Sequence, residues 1–164
     1  MKSSQYVMSN TTAIGQRILL TLWVGGLWTV GYIAVPMLFY ALDDRRLAGE
    51  LAGRLFGVIN GLGLVCGLLL IASVLYHAGR EWRRTWQVWA LAAMLVLIVA
   101  MEFVLQPLMQ GLKIANPQGF TPGTPDAARF GMMHGISSLL YLATSLMGLA
   151  LVAFGLDRNK RIPS

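Results

Sequence analysis

Charge is what this chain has least of. Only 12% of its 164 residues are charged and seven are acidic, against 56% hydrophobic, whereas a soluble domain carries about 25% charged residues. The gaps between charges are long. Arg17 and Asp43 are separated by 25 uncharged residues, Arg54 and Arg80 by 25, and Arg129 and Asp157 by 27. A fourth gap of 28, from Arg84 to Lys113, is broken only by Glu102. Potential ligands are scarce too. Two histidines and one cysteine leave no zinc-spaced cluster, and no phosphate loop or nucleophile motif occurs. No metal, no cofactor and no enzymatic reaction is therefore expected. Cys66 has no intrachain partner and reads as a packing residue. The net charge of +6 comes without a dense basic cluster, which excludes a phosphate-tracking nucleic-acid surface. Basic residues flanking apolar runs instead suit anionic lipid headgroups, so the lipid bilayer is the first partner expected.

What is present is enough apolar chain to cross a bilayer four times, at roughly 20 residues per crossing. The spans fall at about 18–40, 55–77, 86–107 and 131–156. Backbone groups in lipid must be satisfied within their own segment. The fold expected is an all-α membrane protein: one four-helix transmembrane domain over 1–164, with a short cytoplasmic loop and a longer Pro/Gly-rich outer loop. The first run exceeds the roughly 7–15 apolar residues of a signal peptide. Lys2, Arg17, Arg80, Arg83, Arg84, Arg158, Lys160 and Arg161 share one side, against five basic residues on the other. The positive-inside rule then places both termini in the cytoplasm, at an inner (plasma) membrane, with Trp82, Trp86 and Trp89 as interfacial anchors. Asp43 and Asp44 can cap the second helix. Residues from Pro107 to Ala128 read as irregular outer chain, and no internal repeat is evident.

At 100° per residue, Gly57/Gly61 and Gly63/Gly67 fall on two faces of the second span, each with the spacing that lets helices pack closely. Asn60 lies between them, toward the bundle interior. On the fourth span His134, Ser137, Ser138, Tyr141, Ser145 and Gly148 form a polar stripe. Thr21, Gly25, Trp28, Thr29, Tyr32 and Pro36 form a weaker one on the first. Such stripes face protein or water rather than lipid. Glu102 and Gln106 share a face of the third. Glu102 lies about five residues, or roughly 8 Å, inside the outer boundary, at a depth close to those of His134, Asn60 and Tyr32. An outer polar pocket of Glu102, His134, Asn60, Tyr32, Gln106 and Ser138 is therefore expected. The alternative is a third helix that frays before Glu102.

The segment from Leu22 to Phe56 carries Trp23, Gly25, Val35-Pro36-x-Leu38-Phe39, Ala48-Gly49, Gly53 and Leu55-Phe56. Gln106-Pro107 follows, then Phe130, His134, Gly135, Ser137 and Gly148. In this order the motifs resemble the membrane family catalogued as domain of unknown function 4149, similar to transmembrane protein 205 of eukaryotes. The resemblance implies four spans and no settled chemistry.

Two functional readings stand out. An accessory or scaffold subunit would use the glycine faces to bind a membrane-protein partner or a second copy. A transporter or permease for a small cation, proton or soft metal would use Glu102 and His134, since imidazole titrates near neutrality and the nearby methionines suit Cu(I). Methionines in an apolar chain are, however, chiefly packing residues. A bis-histidine haem is excluded within one chain, because His77 and His134 lie at opposite ends of their spans.

Overall fold

Four apolar rods make up the protein, and no strand occurs among the described residues. The computed structural model describes residues 2–78, 83 and 86–156. Arg80, Trp82, Arg84 and the basic tail at Arg158, Lys160 and Arg161 lie outside them. Helix α1 (Lys2–Thr29) runs through a π-helical turn (Val30–Ala34) into α2 (Val35–Ala41), and α3 (Arg45–Ala78) returns. Helix α4 (Trp86–Ala100) runs through a second π turn (Met101–Leu105) into α5 (Gln106–Ala115), and α6 (Pro125–Phe154) returns. Thr11–Ala41, Arg45–Tyr76, Trp86–Ala115 and Pro125–Phe154 are each long and apolar enough to cross a membrane, so the four-helix reading holds.

Local chemistry sets the helix starts. Asp44 Oδ1 accepts from the amides of Arg46 at 2.8 Å and Leu47 at 3.2 Å, satisfying donors that have no intrahelical acceptor. Thr124 caps α6 by accepting from Ala127 N, with Pro125 following it, where a missing N–H costs nothing.

Helix α1 packs on α3 and α6, and α4 packs on the same two; α2 leans on α3 and α5 on α6. Trp23, Leu27, Leu70, Leu91, Met94 and Ile98 are fully buried between them. Gly63 and Gly67 make this packing possible. A Cβ at Gly63 would stand 2.5 Å from Trp23 Nε1 and 3.0 Å from Ile98 Cδ1, and one at Gly67 would stand 2.6 Å from Leu95 Cδ2. One glycine pair therefore serves both neighbours of α3. The second seam expected at Gly57/Gly61 does not form, since Gly61 is exposed and a Cβ there would meet no atom within 4 Å. Of that pair only Gly57 meets a neighbour, its Cβ position lying 3.7 Å from Glu102 Oε1 on the third rod.

The prolines explain the π turns. Neither Pro36 nor Pro107 has an N–H to donate, and each ring crowds the carbonyl of the preceding turn. The chain widens by one residue instead of breaking: Val35 N–H bonds Val30 O, and Gln106 N–H bonds Met101 O. The third rod thus continues to Ala115, not ending at Pro107 as its sequence suggested. The outer connection shrinks to residues 116–124 and is tied down. Arg46 donates to Pro117 O, Asn116 Nδ2 donates to Asp126 Oδ2 at 3.1 Å, and Phe120 stacks on Phe130 at 4.6 Å.

The two π turns stand at matching places in the first and third rods. Adding 71 to a residue number carries Val30–Ala34 onto Met101–Leu105, and Pro36 onto Pro107. It also carries buried Leu20, Trp23 and Leu27 onto buried Leu91, Met94 and Ile98. Adding 74 carries Phe56-Gly57 and Asn60-Gly61 onto Phe130-Gly131 and His134-Gly135. The two halves, α1–α3 and α4–α6, thus place a π turn, a proline and buried residues at matching positions.

Candidate polar site between the second and third rods

Glu102 belongs to the second π turn and is half-buried. Asn60, midway along α3 and only 4% exposed, donates from Nδ2 to Glu102 Oε2 at 3.1 Å. Two glycines of α3 make room for the polar groups opposite. A Cβ at Gly57 would come to 3.7 Å from Glu102 Oε1, and one at Gly53 to 3.6 Å from Gln106 Nε2. Asn60, Glu102 and Gln106 thus form a seam between α3 and the third rod. The third rod extends 13 residues beyond Glu102, from 102 to 115, which is about 20 Å of helix. Glu102 therefore lies well inside the helix rather than at a frayed end. A carboxylate within a membrane span is costly, and the Asn60 amide offsets part of that cost.

Two buried side-chain atoms in this region lack a hydrogen-bond partner, Asn60 Oδ1 and Trp23 Nε1. A backbone oxygen joins them. The amide of Gln106 goes to Met101 O and Pro107 has no N–H, so the carbonyl of Glu102 has no helical donor.

The other three expected pocket residues lie elsewhere. His134 is exposed on α6, its ring stacked with Phe130 at 6.2 Å, while Lys113 Nζ sits 5.8 Å from the same Phe130 ring. Ser138 is exposed and donates to the His134 carbonyl at 2.9 Å, as helical serines do when no other acceptor is near. Tyr32 is 40% exposed, beside Trp28 at 4.8 Å and Tyr141 at 6.3 Å. No hydrogen bond or ion pair joins any of them to Glu102. The pocket of six is corrected to a seam of three and an outward-facing group of three. The cause is where α6 meets α1. That contact runs through Tyr141 against Gly31 and Gly148 against Val24, inward of His134.

Tyr141 is the residue the sequence reading undervalued. It is buried, its hydroxyl donates to Leu27 O at 2.6 Å, and its ring packs edge-on against Phe56 at 5.0 Å. The available signal was a tyrosine on a polar stripe facing a proline-broken span. Among the described residues no group of three His, Cys, Asp or Glu is placed to hold a metal ion.

Four apolar rods, prolyl π turns in two of them and a half-buried amide–carboxylate pair define an all-α integral membrane protein. Within that class the chain belongs to the family described as Domain of unknown function (DUF4149), which matches residues 18–118, or 101 of 164. Neither the curated proteins nor the solved structures give a significant match. The likeness to transmembrane protein 205 rests on the motifs alone.

Proposed function

We propose that this protein is an accessory or scaffold subunit of the inner (plasma) membrane, with both termini cytoplasmic, that docks a second membrane protein on the outward face of its first span. The observation that carries this reading is the direction of the first polar stripe. Thr21, Gly25, Trp28, Thr29 and Tyr32 are all exposed, and the Thr21, Trp28, Thr29 and Tyr32 side chains have no hydrogen-bond partner among the described residues. Acyl chains offer hydroxyl and indole groups nothing to bond, whereas an apposed helix does, and Gly25 lets its backbone come close. A Cβ at Gly25 would meet nothing within 4 Å, so that approach is open.

The transport alternative loses support on two counts. It needed Glu102 and His134 to act together, and no bond links them. Inward of Asn60 the core is closed by fully buried Trp23, Leu70, Leu91, Met94 and Ile98.

A photo-crosslinking amino acid at position 25 or 28, expressed in native membranes, tests the docking face. A discrete heavier adduct is expected there and not from position 96 on the third rod, where Val96 is also exposed. Equal lipid-only labelling at all three positions would reject it.

A further inference from the structure

We infer that Glu102, Asn60 and the backbone carbonyl freed by Pro107 form a binding site for a small monovalent hard cation of the sodium class. This goes beyond the docking reading and does not rest on it.

Three acceptor groups are carried by Glu102 and its partner Asn60. The Glu102 carboxylate is half-buried and bonded on one oxygen by Asn60 Nδ2. The same amide holds an oxygen, Oδ1, that is buried and unpartnered in a residue 4% exposed. The Glu102 carbonyl has lost its helical donor to the π turn and Pro107. Buried acceptors without donors are costly, and a bound cation satisfies several at once. Oxygen-only ligands select hard cations over soft ones. A single carboxylate balances one positive charge, whereas calcium takes six to eight oxygens, several of them usually carboxylate.

The first half of the molecule is the built-in control. There Gly31 occupies the position of Glu102, and Tyr141 fills the space over Gly31 while donating to Leu27 O. The residue 74 positions before Tyr141 is Gly67, so the second half has no such tyrosine. One half is plugged by a phenol, and the other offers a carboxylate.

The purified full chain, in detergent or nanodiscs, is melted in sodium, potassium, lithium or N-methylglucamine chloride at one ionic strength. At least one alkali cation is expected to raise the melting temperature saturably over N-methylglucamine, since a ligand bound only to the folded state stabilises it. Glu102→Gln and Asn60→Ala should lose that increment, and Tyr141→Phe should keep it. Identical melting of the wild type in all four salts overturns the proposal, as does a saturable increment that survives Glu102→Gln. If the seam variants do not fold, sodium-23 relaxation of the wild type decides. Saturable broadening beyond that of protein-free detergent supports the site, and its absence rejects it.

Discussion

Pro36 and Pro107 set their helices the same problem, and the two halves of the molecule solve it differently. Each proline withholds a donor, and each is preceded by a π turn that carries the helix past it. In the first half the widened turn is packed shut. Gly31 leaves a gap, the Tyr141 ring fills it, and the Tyr141 hydroxyl serves Leu27 O. In the second half the matching position is Glu102, whose side chain turns to Gly57 and Asn60 on α3. The backbone device is shared, and the side chain placed on it decides whether the turn becomes a locked joint or a polar site. This agrees with the tendency of π turns to sit at functional positions.

The sharpest way to break that comparison is Gly31→Ala. A Cβ there would overlap the Tyr141 ring, and Tyr141 is buried between α1 and Phe56 with no room to retreat. Overpacking of this kind costs about 1–3 kcal/mol. The upper end is expected, because the ring cannot move without losing its hydrogen bond. Unfolding in mixed micelles measures it, and a cost near zero would mean the first half is not locked.

Tyr141→Phe comes next. It keeps the ring and removes only the donor to Leu27 O, so about 1 kcal/mol is expected, within the range of interhelical hydrogen bonds in membranes. The ratio of the two losses separates packing from hydrogen bonding in the locked half. Gly57→Ala probes the open half. Its Cβ would come to 3.7 Å from Glu102 Oε1, an ordinary contact, so the loss should stay below about 1 kcal/mol. A loss matching that of Gly31→Ala would show that the second half is packed as tightly as the first.

Much of this arrangement was legible in the residues. Charge gaps located four spans because an unpaired charge in hydrocarbon is costly whatever the packing. Asp44 was readable as a cap, and helical rotation placed Gly63/Gly67 and Asn60 toward the neighbours of α3. The failures share a physical cause. A π turn inserts one residue, so every face beyond it rotates by about 100°. A helix drawn without that turn ends the third rod at Pro107, when the rod continues to Ala115; Tyr32 instead keeps the outward side of Thr21, Gly25 and Trp28. His134 failed differently: it is on the expected face, but at its level α6 neighbours α5 and the tied-down loop rather than α1. The outward stripe on α1 shows a further limit, since periodicity groups polar residues without saying whether the bundle or a partner covers them.

Gly61→Ala carries the smallest expected effect and the clearest contrast with the sequence reading. A Gly57/Gly61 packing seam would make this substitution as harmful as Gly63→Ala, where the new Cβ would stand 2.5 Å from Trp23 Nε1. The structure gives Gly61 an exposed position with nothing within 4 Å of that Cβ. Alanine there adds no clash, and it removes backbone freedom that glycine loses on forming a helix, which is worth up to about 1 kcal/mol in water. Gly61→Ala is therefore expected to be neutral or slightly stabilising in the same unfolding assay, while Gly63→Ala loses stability. If Gly61→Ala destabilised the protein only in native membranes and not in detergent, the exposed face of α3 would be covered by a partner. The docking surface would then extend from the first span to the second.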